Sequence, residues 1–266
     1  MPEDKKNLPA KRRDGGSKKG SSFLAKVRSA KVAKPPRGSA MGRVDPTLVA
    51  AALAPRQTRP RLVFAVDATA SREPAWEAAR ATTDALFAAA PGELDVALAA
   101  HGGSRIKLFT KFTANAAVLR DQAAALRCEA GSTQLIELMD RCRAATNVKV
   151  LVYIGDVFEE DIASAEQMAT SLRLRGTRVV ILHDRTQPIS DDMEPSELDE
   201  DVEAFRRIAE LTKGAVLPFD PSVVTQLHDL LAAIATLAVG GVKLLTARAS
   251  QLPAAKLLLA QLPSEE

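Results

Sequence analysis

From Arg61 onward the chain repeats one device: a short run of apolar residues, a turn, then a longer stretch with helical spacing. A run without polar interruption is buried on both faces, as a parallel strand between two layers of helices must be. The helix-sized stretches supply the crossovers that parallel strands need. The pattern predicts an α/β fold, a doubly wound, mostly parallel sheet. Its first strand is Arg61–Asp67 (RLVFAVD), followed by a helix over Pro74–Ala90. The next strand, Leu94–His101, meets the turn His101-Gly-Gly-Ser-Arg105, too short for anything but a hairpin, and returns as Ile106–Thr113. This one antiparallel strand carries Lys107 and Lys111, which suit a sheet edge. Helices are expected over Ala114–Arg127 and Gln134–Ala145, then the most apolar strand, Val148–Ile154. A helix over Ile162–Arg175 and a strand over Arg178–His183 follow. Residues 191–203 hold 8 acids in 13 positions, which predicts a solvated loop leading into a helix over Val202–Thr212. The last strand is Ala215–Pro218, covered by a helix from Pro221 to about Val239 that Gly240 and Gly241 should end.

Charge divides the chain. Residues 1–60 hold 15 Lys and Arg against 4 acids, a surplus of 11, and the remainder holds 21 basic and 29 acidic groups, a deficit of 8. The basic part is rich in Gly, Ser and Pro and poor in large apolar residues, so burial cannot offset its ordering entropy, and a disordered tail is expected. Such a tail can make weak contacts with nucleic acid or an anionic surface by counterion release, although Phe23 is its one aromatic. The organisation expected is a basic tail over 1–59, a domain over 60–240 and a Leu-rich segment over 241–266. That last segment, interrupted by Pro253, is either a helical pair docked on the body or a partner-binding element.

Several classes are excluded early. Two cysteines, Cys128 and Cys142, build neither a disulfide scaffold nor a zinc site, which wants four such ligands. The longest uncharged apolar run, Leu230–Val242, spans 13 residues against the roughly 20 that cross a bilayer, so it predicts a buried helix and no membrane span. The first thirty residues lack the apolar stretch of a secretory signal, and a cytoplasmic location is expected. No Walker loop, GxGxxG or GxSxG occurs.

Ligands of open α/β sheets collect beyond the carboxyl ends of the strands. After the first strand, Asp67-Ala-Thr69-Ala-Ser71 places a carboxylate and two hydroxyls at every second residue. After the central strand comes Asp156, and between them Gly131-Ser132-Thr133 sets a hydroxyl in a small-residue loop before a helix. All five groups offer oxygen, the ligand chemistry of a hard cation such as Mg²⁺ or Mn²⁺. Singly, each is also an ordinary turn or N-cap residue.

In this order the motifs resemble the von Willebrand factor type A domains, of a bacterial intracellular kind, whose metal-ion-dependent adhesion site runs D-x-S-x-S, then a Thr in a Gly-containing loop, then an Asp at a later strand end. Here the first motif is D-x-T-x-S, with Thr69 where the family usually has Ser, and Gly155-Asp156 stands where it often has T-D-G. The resemblance covers roughly residues 60–240. It implies a metal held by Asp67, Thr69, Ser71, Thr133 and Asp156, with the hydroxyls direct, the two Asp mostly through water, and one position open to an acidic residue of a partner. It further implies a non-enzymatic protein-interaction module, and by analogy a partner in an AAA-type ATPase complex.

A second class competes. Gly155-Asp156-Val-Phe-Glu-Glu-Asp161 resembles the GDxxxxD metal motif of haloacid-dehalogenase-like phosphatases, with Asp67 as nucleophile. Those enzymes need a second Asp two residues later as general acid, and Thr69 stands there; Lys149, the candidate phosphate lysine, lies at the far end of its strand. A third reading, a metal-free scaffold docking through its C-terminal segment, rests on the Leu-rich stretch. His101 and His183 are expected as polar strand ends, His228 on a surface, and Trp76 in core or rim. Glu159, Glu160 and Asp161 are expected to place charge at the N-terminus of the following helix.

Overall fold

In the computed structural model, which describes residues 58–89, 92–124, 126–184 and 195–263, the apolar runs assemble into one six-stranded sheet. The strands are β1 (Arg61–Asp67), β2 (Asp95–Gly102), β3 (Arg105–Phe109), β4 (Val148–Gly155), β5 (Arg178–Asp184) and β6 (Ala215–Phe219). Their order is β3-β2-β1-β4-β5-β6, parallel throughout except for the β2–β3 pair at one edge. The fold class expected from the sequence is the one observed. β1 and β4 form the centre, and every residue of β1 after Arg61 is buried.

Alternation within the strands divides the core in two. Leu62, Phe64 and Val66 face helices α1 (Glu73–Ala89), α2 (Ala116–Ala124) and α6 (Val224–Ala247), while Val63 and Ala65 face α3 (Leu135–Ala144), α4 (Ile162–Leu174) and α5 (Pro195–Thr212). Helices on both faces are the physical reason the strands need no polar side.

The hairpin turns through Gly103 (φ 59°) and Ser104 (φ 55°), two positive dihedrals in succession as a type I′ turn demands. Regular pairing along β3 ends earlier than expected, at Phe109; beyond it the Leu98 amide donates to the Thr110 side-chain hydroxyl at 2.9 Å, and Thr113 keeps a single bridge to Val96. α2 is shorter than its apolar pattern, and the Asn115 side chain caps it by accepting from the Ala117 amide at 3.0 Å. The expected acidic loop is in part helix: α5 starts at Pro195, where proline has no amide to lose. Its portion before Pro195, like the basic tail, lies outside the described residues.

As expected, the glycine pair interrupts α6: Gly241 leaves helical geometry with φ 66° and ψ −165°, and a second, shorter helical stretch follows the kink to Ala247. α6 is the one described helix long and apolar enough to cross a membrane, and its Leu227, Leu230, Leu231 and Ile234 are buried against the sheet. Beyond it, α7 (Ala255–Gln261) docks on the body, with Ala255 and Leu258 inaccessible and in the same core cluster as Leu245.

Candidate functional site

The carboxyl ends of β1, β2 and β4 lie side by side, with Asp67 level with His101 across the first pair. Asp67 closes β1, and its Oδ1 accepts from the Thr69 amide at 2.8 Å, a tight turn that sends the chain into one 3₁₀ turn, Ala70–Arg72. That turn sets the Thr69 and Ser71 hydroxyls 3.5 Å apart. The loop is held from both sides: the Ala68 amide donates to the His101 carbonyl, and the Ala68 carbonyl accepts from the Glu129 amide.

The second loop needs its glycine. A Cβ on Gly131 would lie 2.3 Å from the Ser104 amide nitrogen, so no other residue lets this loop press against the hairpin turn. Thr133 follows, 1% exposed; its amide donates to Glu159 Oε2 at 2.9 Å, and its hydroxyl accepts from the Glu159 amide at 3.2 Å. Glu160 accepts from the Leu135 and Ile136 amides at the start of α3. Glu159 and Glu160 therefore serve the preceding helix, which corrects the sequence expectation; Asp161 alone caps α4, accepting from the Ser164 amide at 2.8 Å.

The third loop begins at Asp156, whose Oδ1 accepts from the Val157 amide at 3.0 Å. Asp67, Thr69, Ser71, Thr133 and Asp156 all line one cavity of about 350 Å³, with Glu159 at its wall. Three loops far apart in sequence thus bring together the five residues singled out from it.

Sequence reasoning missed what lies beneath. Arg72, 1% exposed, donates from one guanidinium nitrogen to Asp156 Oδ2 at 2.8 Å and from another to Asp184 Oδ2, at the end of β5. The signal available was a basic residue directly after D-x-T-x-S, but periodicity cannot tell that a turn residue points inward. His101 is fully buried: its Nε2 meets the Tyr153 hydroxyl at 3.0 Å and its Nδ1 lies 3.8 Å from Asp67 Oδ1. His183 Nε2 contacts the Asp156 carbonyl at 2.9 Å. Trp76 is core, His228 is exposed, and both cysteines are free thiols.

Burial dominates the electrostatics. It raises the Asp67 carboxyl to about 6, opposed by the Thr69 amide and reinforced by the Asp156 charge. The same burial lowers His101 to about 4. Arg72 bridges the Asp156 and Asp184 carboxylates, and the Asp156 charge acts in turn on Asp67. Among the described residues no group of three His, Cys, Asp or Glu is placed to hold a metal. The donor set here is different, two carboxylates completed by hydroxyls, and it fits a hard divalent cation in both oxygen chemistry and charge.

A mostly parallel sheet with hydroxyl-bearing loops at the ends of its central strands defines a class of α/β binding folds. The particular fold follows from comparison with solved structures. A von Willebrand factor type A protein from Catenulispora acidiphila matches with a TM-score of 0.52 and 17% identity, over 67% of this chain and 43% of that one. Proximal thread matrix protein 1 from the mussel byssus, in a structure with a zinc-occupied MIDAS motif, the metal-ion-dependent adhesion site, matches with a TM-score of 0.50 and 13% identity, over 66% of this chain and 46% of that one. The chain has the von Willebrand factor type A fold, and it spans less than half the length of these two structures. No family model and no curated protein matches the sequence.

Proposed function

We propose that this chain is a non-enzymatic interaction module that holds a carboxylate of a protein partner through a divalent cation, Mg²⁺ or Mn²⁺, seated among Asp67, Thr69, Ser71, Thr133 and Asp156. The carrying observation is the convergence of these five oxygen donors, from three loops, on one cavity at the carboxyl ends of the central strands. A bound cation supplies an electrophilic position for an acidic side chain. The chain's own part is to orient the donors: the Thr69 amide fixes the Asp67 carboxylate, Glu159 fixes Thr133, and Arg72 fixes Asp156. The mussel protein whose structure has a zinc-occupied MIDAS motif supports the choice of a divalent metal for this fold.

The phosphatase reading finds less support. Thr69 occupies the general-acid place, and Lys149 is the second residue of β4, seven residues and roughly 20 Å of strand from Asp156. We further propose a cytoplasmic setting, an AAA-type ATPase complex as the kind of assembly joined, and residues 60–240 as the interaction module between a basic extension and the Leu-rich segment.

Millimolar Mg²⁺ or Mn²⁺ should raise the melting temperature of the full chain. A hundredfold excess over Kd is worth about 2.7 kcal/mol, which is several degrees at this size. Asp156→Ala should remove the response. A wild-type transition that ignores both cations sinks the proposal.

A further inference from the structure

A buried guanidinium beside a proposed cation site is a conspicuous choice. Taking Arg72 out of water carries a desolvation cost that its two carboxylates offset only in part, and replacing such buried ion clusters by apolar residues is often neutral or stabilising. Its Nε is buried with no hydrogen-bond partner among the described residues, so the group is not even fully satisfied. Stability alone therefore does not account for it. Its position does suggest a role. The 3₁₀ turn that presents Thr69 and Ser71 to the cavity sends the next side chain, Arg72, below it to the ends of β4 and β5. One prong takes Oδ2 of Asp156, a residue that lines the cavity, and the other takes Asp184, which is absent from the cavity lining.

We propose that Arg72 is a resident counter-cation of the site: it shares the Asp156 carboxylate with the divalent ion, keeps the three strand ends assembled when the ion is away, and holds the affinity for the ion low. This rests on the cation reading of the site and specifies how that site is tuned. Two opposed consequences follow from one charge. Without Arg72, Asp156 is free to serve the ion and a neighbouring positive charge is gone, so the ion binds more tightly. Without Arg72 and without the ion, buried carboxylates repel one another and the fold weakens. A residue that merely propped up Asp156 would do the reverse on the first count, because losing the prop would weaken cation binding.

The test is Mn²⁺ affinity, measured by isothermal titration on the full chain, together with the melting temperature in EDTA. Arg72→Met removes the charge at similar length, and Arg72→Gln does so with less apolar surface should the Met variant fail to fold. Arg72→Lys keeps the charge, and Asp156→Ala is the site control. The charge-free variants should bind Mn²⁺ about tenfold or more tightly than wild type, and Arg72→Lys within about threefold of it. The Met variant should melt below wild type in EDTA and recover in Mn²⁺. Unchanged or weaker binding by the charge-free variants, with binding still lost in Asp156→Ala, overturns the inference and leaves the cation site standing. Mn²⁺ binding by none of the proteins overturns the cation site and the inference together.

Discussion

At the scale of single residues, burial drives two neighbours in opposite directions. Asp67 is held at about 6 and His101 at about 4, in each case chiefly because the charged form is costly where no water reaches. The sign of each contribution to stability follows from linkage. Asp67, raised in the folded state, binds more protons folded than unfolded between about pH 4 and 6, so its contribution falls as pH rises through that window. His101, lowered in the folded state, binds fewer, so its contribution rises between about pH 4 and 6.5. In the metal-free chain the two slopes nearly cancel. Asp67→Asn should therefore leave a protein whose stability climbs from pH 4 to 6.5, by on the order of 3 kcal/mol. His101→Asn should leave one whose stability declines over nearly the same interval. Denaturant unfolding at stepped pH in EDTA measures both, and two flat profiles would show that these groups are more hydrated than their burial indicates.

Among the elements, the C-terminal helix carries the clearest contrast. α7 sets Leu258 into the core cluster that holds Leu245 and Ala255, while its neighbour Leu257 is 39% exposed. Leu258→Ala should cost about 2–5 kcal/mol through lost burial and the cavity left behind, and Leu257→Ala no more than about 0.5 kcal/mol. Equal small effects would mean that α7 is detached in solution, restoring the view of this segment as a free partner-binding element. The sequence left that choice open, because a Leu-rich stretch interrupted by Pro253 has the same composition whether it is docked or waiting for a partner. By contrast, Gly240-Gly241 has the composition of a helix stop and acts as one, with Gly241 leaving helical geometry before a second helical stretch begins.

Over the whole molecule, charge is divided along the chain. The described body starts firmly at Thr58 and Arg59, whose carbonyls accept from the Asn147 side chain at 2.6 and 2.9 Å. Residues 1–57 hold most of the basic surplus. Salt-dependent attachment to polyanions should thus belong to that segment. Deleting residues 1–57 should leave the melting transition within a degree or two and abolish retention on heparin at low salt. Retention undiminished by the deletion would place the basic surface on the body instead.

The hydrophobic pattern from Arg61 to Phe219 by itself determined the α/β class, the mostly parallel sheet and its antiparallel edge, because strand burial and crossover length are local properties written into period and spacing. It also placed Asp67, Thr69, Ser71 and Asp156 just beyond strand ends and Thr133 just before a helix, and these five residues line one cavity. Only the tertiary structure decided their company. That Arg72 points inward to Asp156 and Asp184, that His101 is sealed behind Asp67, and that Glu159 and Glu160 reach back to Thr133 and α3 are contacts between residues up to 112 positions apart. No local preference encodes such a pairing. It arises when the sheet sets the ends of β1, β4 and β5 next to one another, and the cost of an unpaired buried charge then selects which groups must meet.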